Sequence, residues 1–130
     1  MTRTSAIILY RQLGWSTEVL VTKNEDGKWD LPHDNSNSPN VAHTVKSIAA
    51  KSKLTLPTTL NYLGQSRQTA DSKIMGYMRD VHACELRIPQ DGSAKFVSLR
   101  EALFLVTPEF IPLLETFYAN HTHEYRRHCA

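Results

Sequence analysis

The chain has 130 residues, with fifteen Lys and Arg against thirteen Asp and Glu, giving a formal net charge of +2. That length suits one domain, and a composition 41% hydrophobic and 22% charged is globular, which argues against disorder. So small a net charge carries no strong nucleic-acid signal, and the apolar run in MTRTSAIILYRQ is too short for a signal peptide or a membrane span.

In chain order, Ser5–Arg11 (SAIILYR) reads as a buried strand, QLGWST as a turn around Gly14, and Glu18–Lys23 (EVLVTK) as a second strand completing a hairpin. NEDG, Asn24–Gly27, is a turn signal, and KWDLP, Lys28–Pro32, is a short extended piece that Pro32 ends. HDNSNS, opening at His33, reads as a polar loop. Ser38 and Pro39 mark a helix start. Val41, Ala42, Val45, Ile48 and Ala49 trace one apolar helical face, with His43, Lys46, Ser47 and Lys51 opposite. The helix is predicted to end near Lys53, where Lys51 and Lys53 meet the negative end of its dipole.

Leu60–Gln65 and Ile74–Leu86 read as further strands, PQDGS as a turn, and Lys95–Val97 as a short strand. Ser98 and Glu101 have the spacing of a capping box. Thr107-Pro108-Glu109 opens a last helix carrying Phe110, Ile111, Leu113, Leu114, Phe117 and Tyr118. The order β-β-β-α-β-β-β-α-α predicts an α/β (α+β) fold, a mixed β-sheet with helices on both sides. The expected organisation is a single domain over residues 4–119 and a C-terminal tail over residues 120–130.

Cys84 and Cys129 are the only cysteines, too few for a disulfide scaffold, and a reducing cytoplasmic setting is the simplest expectation. Cys84 lies in an apolar run and reads as a small core residue. The tail HTHEYRRHC, His121–Cys129, matches no standard zinc spacing.

The placement of charge is more informative than its sum. The 36 residues from Asn35 to Ala70 contain no Asp or Glu but carry Lys46, Lys51, Lys53 and Arg67, so this segment is +4 and the rest of the chain −2.

The element order, the segment GKWDLP (Gly27–Pro32) and the ending FVSLREALFLVTPEFIPLLETF (Phe96–Phe117) together resemble the Nudix hydrolases, from about Ser5 to Phe117. In that family an aromatic-x-Leu-Pro unit leads through a glycine-rich loop into a helix bearing Arg-Glu-aliphatic-x-Glu-Glu-x-Gly-aliphatic. The resemblance implies a Nudix-like α/β/α sandwich. It also implies phosphoanhydride hydrolysis with Mg²⁺ held by the helix carboxylates. In the best register KSIAAKSKL, Lys46–Leu54, lies on that motif. Lys46 takes the Arg position, Ser47 the first Glu, Ala50 and Lys51 the paired Glu, Lys53 the Gly and Leu54 the last aliphatic.

This is a degenerate Nudix box, and no shift of register supplies an acid. A lysine about 4 Å from a divalent ion repels it by several kcal/mol at an effective dielectric of about 20. The expectation is no cofactor, with Mg²⁺ needed only if a displaced site uses Asp34 and Asp91, with Asp71 as a further carboxylate. Lys46 and Lys51, with His43 beside them, are candidates to contact phosphate directly, against the bland reading of a solvated helix face. Trp29 either packs in the core or stacks on a base. His33 opens the loop, and the resemblance adds Tyr10, Arg11 and Tyr77 on strands that line the family's substrate cleft. The ligand-binding candidates are thus Arg11, Trp29, His33, Lys46, Lys51 and Tyr77.

Three functions compete. The first is a nucleotide-binding or regulatory module for a small phosphorylated ligand that has lost hydrolysis. The second is an active hydrolase of nucleoside diphosphate-linked compounds, of the dinucleoside polyphosphate kind. The third is a protein-interaction domain using the last helix. No membrane partner is expected, and the chain is expected to be a monomer or a homodimer.

Overall fold

The computed structural model describes residues 2–35, 41–56, 59–69, 72–81 and 86–129. Strand β1, Thr2–Leu13, is the centre of a mixed sheet of seven strands among the described residues. It turns at Gly14, whose φ of 61° is the left-handed conformation glycine adopts freely, into antiparallel β2, Ser16–Lys23. Its other edge pairs in parallel with β6, Ser72–Asp80, from Thr2↔Ser72 to Tyr10↔Asp80. Two-residue strands β3, Trp29–Asp30, and β4, His33–Asp34, pair with β2 and β1. Strand β7, Ala94–Ser98, adds to β2. Strand β5, Asn61–Thr69, pairs with β6 at the end of the strand order, with its register broken between Tyr62 and Gly64 and between Arg67 and Thr69.

The run SAIILY forms a strand covered on both faces. Side chains alternate along a strand, so Ala6 and Ile8 join one core cluster and Ile7 and Leu9 the other. The first cluster lies under α2, Leu99–Leu105, and α3, Ile111–Cys129, and contains Val97, Ala102, Phe110, Leu114 and Phe117. The second lies under α1, Val41–Ser52, and contains Leu20, Ile48, Leu54 and Ala94. The layers are helix, mixed sheet, helix, as the sequence predicts. Ser98 caps α2, its hydroxyl accepting from the Glu101 N–H at 3.1 Å. Tyr10 and Phe117 pack at 4.9 Å between ring centres and hold α3 on β1.

Several expectations are corrected. His33 and Asp34 form β4 rather than loop, because they pair with Ala6 and Ser5, and the Ile7 N–H donates to the Pro32 carbonyl at 2.9 Å. The strand from Ile74 ends at Asp80, short of Leu86. Helix α1 buries Thr44, Val45 and Ile48, while Val41 and Ala42 in its first turn are exposed. The last helix is preceded by a 3₁₀ turn, Pro108–Phe110. Helix α3 itself spans Ile111–Cys129. Ser38, Pro39, Asp71 and Cys84 lie outside the described residues, as do the side chains of the tail beyond His121. Among the described residues, no helix is long and apolar enough to cross a membrane.

Helix α3 packs close against the sheet at Gly76 on β6. A Cβ there would stand 2.7 Å from Leu113 Cδ2 and 3.3 Å from the Gly64 carbonyl oxygen. Leu113 is 2% exposed and has little room to retreat. Gly76→Ala is therefore expected to destabilise the fold by about 1–3 kcal/mol, read as a lower urea midpoint. Leu113→Val in the same chain should recover part of the loss.

Candidate functional site

The turn after β2 is built by Asn24. Its side-chain oxygen accepts from the N–H groups of Asp26 and Lys28, both at 2.9 Å, and Gly27 takes a φ of 77°. Its amide donates to Asp30 Oδ2 at 3.0 Å, and the Thr107 hydroxyl donates to Asp30 Oδ1 at 2.6 Å. The Thr107 N–H donates to the Trp29 carbonyl at 3.0 Å. Asp30, 4% exposed, thus ties the turn to the corner between α2 and α3. Burying a carboxylate is tolerable because both oxygens accept hydrogen bonds.

At the other side, α1 ends at Ser52 and the chain turns at Lys53, whose φ of 55° is left-handed. The Leu54 N–H donates to the Ala49 carbonyl at 3.1 Å, and Leu54 packs in the α1-side cluster with Ile48. This is a Schellman ending, in which glycine normally takes the Lys53 position. The same residue falls on the glycine of the Nudix motif in the register derived from the sequence.

Between the Asn24 turn, β4, the end of α1 and the turn before β7 lies a cleft of about 570 Å³. Lys23, Lys51 and Lys53 line it, with His33, and so do Glu25, Asp26, Asp30 and Asp91. The acid-free segment therefore does not make a basic cleft, because carboxylates from two other loops converge on its lysines. Asp91 accepts from the Ser93 hydroxyl at 2.5 Å and the Ser93 N–H at 3.0 Å. These bonds, hydroxyl first, together with the nearby Lys53 charge, hold the exposed Asp91 carboxyl below its ordinary range.

Of the six residues singled out from the sequence, the cleft brings together His33 and Lys51. The His33 ring has Nδ1 2.8 Å from the Leu31 carbonyl and packs on Phe110. Arg11 lies on β1 in a separate recess beside Phe96. Trp29 packs against the α3-side core, with Lys95 Nζ 4.6 Å and Lys23 Nζ 5.9 Å from its ring centre. It thereby supports Lys23, a cleft residue. Tyr77 packs edge-on to Tyr62 in the α1-side layer, and Lys46 is exposed on α1; neither lines either cavity. Tyr10 is on the α3 side, against Phe117 and His121.

Ser93 carries no sequence signal for the cleft, Lys23 reads from the sequence as an exposed strand end, and Lys53 reads as a helix end on the motif glycine. The signal for Lys53 was its place on the motif glycine, which marks where a helix end must turn.

The site does not fit a Nudix-type Mg²⁺. Helix α1 offers no carboxylate. Both Asp30 oxygens already accept from protein donors, as does Asp91 Oδ1. Asp34 pairs with Ser5 on β4 and does not line the cleft. Among the described residues, no three His, Cys, Asp or Glu side chains group closely enough to hold a metal ion.

No protein-family model matches the sequence, and no curated protein matches it. Solved structures share its fold. The Nudix domain of Shewanella oneidensis NrtR, in complex with ADP-ribose, superposes with a TM-score of 0.69 at 18% identity, covering 91% of this chain and 86% of that one. Caenorhabditis elegans Ap4A hydrolase gives a TM-score of 0.67 at 14% identity, covering 92% and 97%. A MutT/Nudix family protein from Listeria innocua gives 0.65 at 17% identity, covering 95% and 96%. The architecture is the Nudix fold.

Lys53→Gly is expected to stabilise the protein by about 1 kcal/mol by relieving the left-handed side chain, raising Tm by a few degrees. Lys53→Val should lower Tm. Ser93→Ala should raise the Asp91 pKa toward its ordinary value, read by NMR titration of the carboxyl. A depressed carboxyl pKa adds stability above the unfolded-state value and loses it as pH falls through the folded-state value. The stability gap between wild type and Ser93→Ala should therefore be present at neutral pH and close in acid.

Proposed function

We propose that this Nudix-fold protein is a binding or regulatory module for a nucleotide or other phosphorylated ligand, and that it has lost metal-dependent hydrolysis. The observation that carries the reading is the end of α1. Lys51 stands where the family's motif has one of its paired acids, Ser47 and Ala50 stand at the others, and Lys51 and Lys53 line the cleft. Ammonium groups there neutralise phosphate directly, in place of a divalent ion. Glu25 and Asp26 on the opposite wall accept hydrogen bonds from sugar hydroxyls. The ADP-ribose held by the NrtR Nudix domain supports a diphosphate-linked sugar as the ligand class.

Calorimetry with ADP and ADP-ribose in EDTA tests this. Binding should survive chelation, and Lys51→Ala should weaken it about tenfold. Lys51→Glu should abolish it with the fold intact by circular dichroism.

Asp91 at the cleft favours a second reading, a hydrolase with a displaced metal site. That reading predicts Mg²⁺- or Mn²⁺-dependent release of mononucleotide, lost in Asp91→Ala. Turnover above a metal-only blank would overturn the loss of hydrolysis.

A further inference from the structure

A second recess, of about 620 Å³, opens along β7 beyond the cleft. Ser93 lines the cleft, and the residues that follow it, Ala94, Lys95 and Phe96, line the recess. Three residues of strand span about 10 Å, the reach from a nucleotide's diphosphate to its base. The two cavities differ in chemistry. The cleft is polar and charged, whereas the described residues that wall the recess include Leu13, Val81, Leu86 and Ile88 and no carboxylate.

Among the residues that line it, the Arg11 guanidinium lies 3.9 Å from the ring centre of Phe96. The Arg11 charge is already matched. Its NH2 group is 2.7 Å from Glu18 Oε1, and its Nε–H donates to the same oxygen at 2.8 Å. The Arg11 side chain is nevertheless 37% exposed. A planar cation stacked on one face, paired at its edge and open elsewhere suits a flat aromatic ring better than a phosphate. Strand alternation explains the placement. Arg11 follows Ile7 and Leu9 on the α1 side of β1, and Phe96 follows Ala94 on the same side of β7.

We propose that this recess receives the base of a nucleotide whose phosphates lie in the main cleft, with the base stacked on the free face of the Arg11 guanidinium. The inference rests on the ligand reading given above. It makes Arg11 a contact for the base, with Phe96 behind it as the support.

The test compares ADP with inorganic pyrophosphate by calorimetry in EDTA, for wild type and for Arg11→Lys. Lysine keeps the charge opposite Glu18 but loses the plane. Wild type should bind ADP at least about tenfold more tightly than pyrophosphate, the scale expected for one stacked base. Arg11→Lys should remove most of that advantage and leave pyrophosphate binding unchanged. Equal affinities for ADP and pyrophosphate in wild type, or equal weakening of both by Arg11→Lys, overturn this inference alone. Failure of both compounds to bind overturns the ligand reading and this inference with it. Saturation-transfer NMR gives a readout on wild type that does not depend on the variant folding. The adenine protons should receive the strongest transfer, and stronger transfer to the ribose overturns the proposal.

Discussion

Residues Ala6–Leu9 are at most 1% exposed, because α3 covers one side of β1 and α1 covers the other. Burying each Ile or Leu side chain contributes about 1.5–3 kcal/mol. The alternation also makes the arrangement unique, since a slip of one residue would exchange the two sets of side chains between faces. With β1 held this way, the other parts of the site follow. Ile48 and Leu54 bring the end of α1 onto the sheet, and Lys51 and Lys53 go with them. The hairpin from β1 to β2 sets Arg11 opposite Glu18 on the same face.

The cleft combines opposing electrostatic features. A helix C-terminus carries partial negative charge, so the end of α1 does not by itself attract anions. Lys51 and Lys53 offset that charge, while Asp91 and the Asn24 turn bring carboxylates against them. The balance suits a ligand that presents both phosphate and hydroxyl groups. Asp30 plays no part in this balance toward a ligand. Buried and bonded on both oxygens, it keeps the turn and the corner after α2 in register.

Most of the fold was legible because its signals are local. The apolar run of β1, the hairpin at Gly14 and the Ser98 cap each depend on a few neighbouring residues. Strand β4 was not legible. Two polar residues after a proline become a strand only when β1 offers them an edge. The site was legible only in part for the same reason. Lys51 was visible within one helix, but the carboxylates of Glu25, Asp26 and Asp91, which line the same cleft, lie outside the acid-free segment. Lys46 belongs to the same helix and the same sequence pattern, yet it does not line the cleft, which meets α1 at its last turn.

The breaks in register along β5 also bear on the behaviour of the protein in concentrated solution. A long, regular outer strand is a template on which another chain can add and stacks can grow. In β5 the pairing slips between Tyr62 and Gly64 and again between Arg67 and Thr69. Each irregularity bends the strand and interrupts the even row of backbone donors and acceptors that an incoming strand would need. On this side the sheet therefore offers an incoming strand an uneven row of backbone partners.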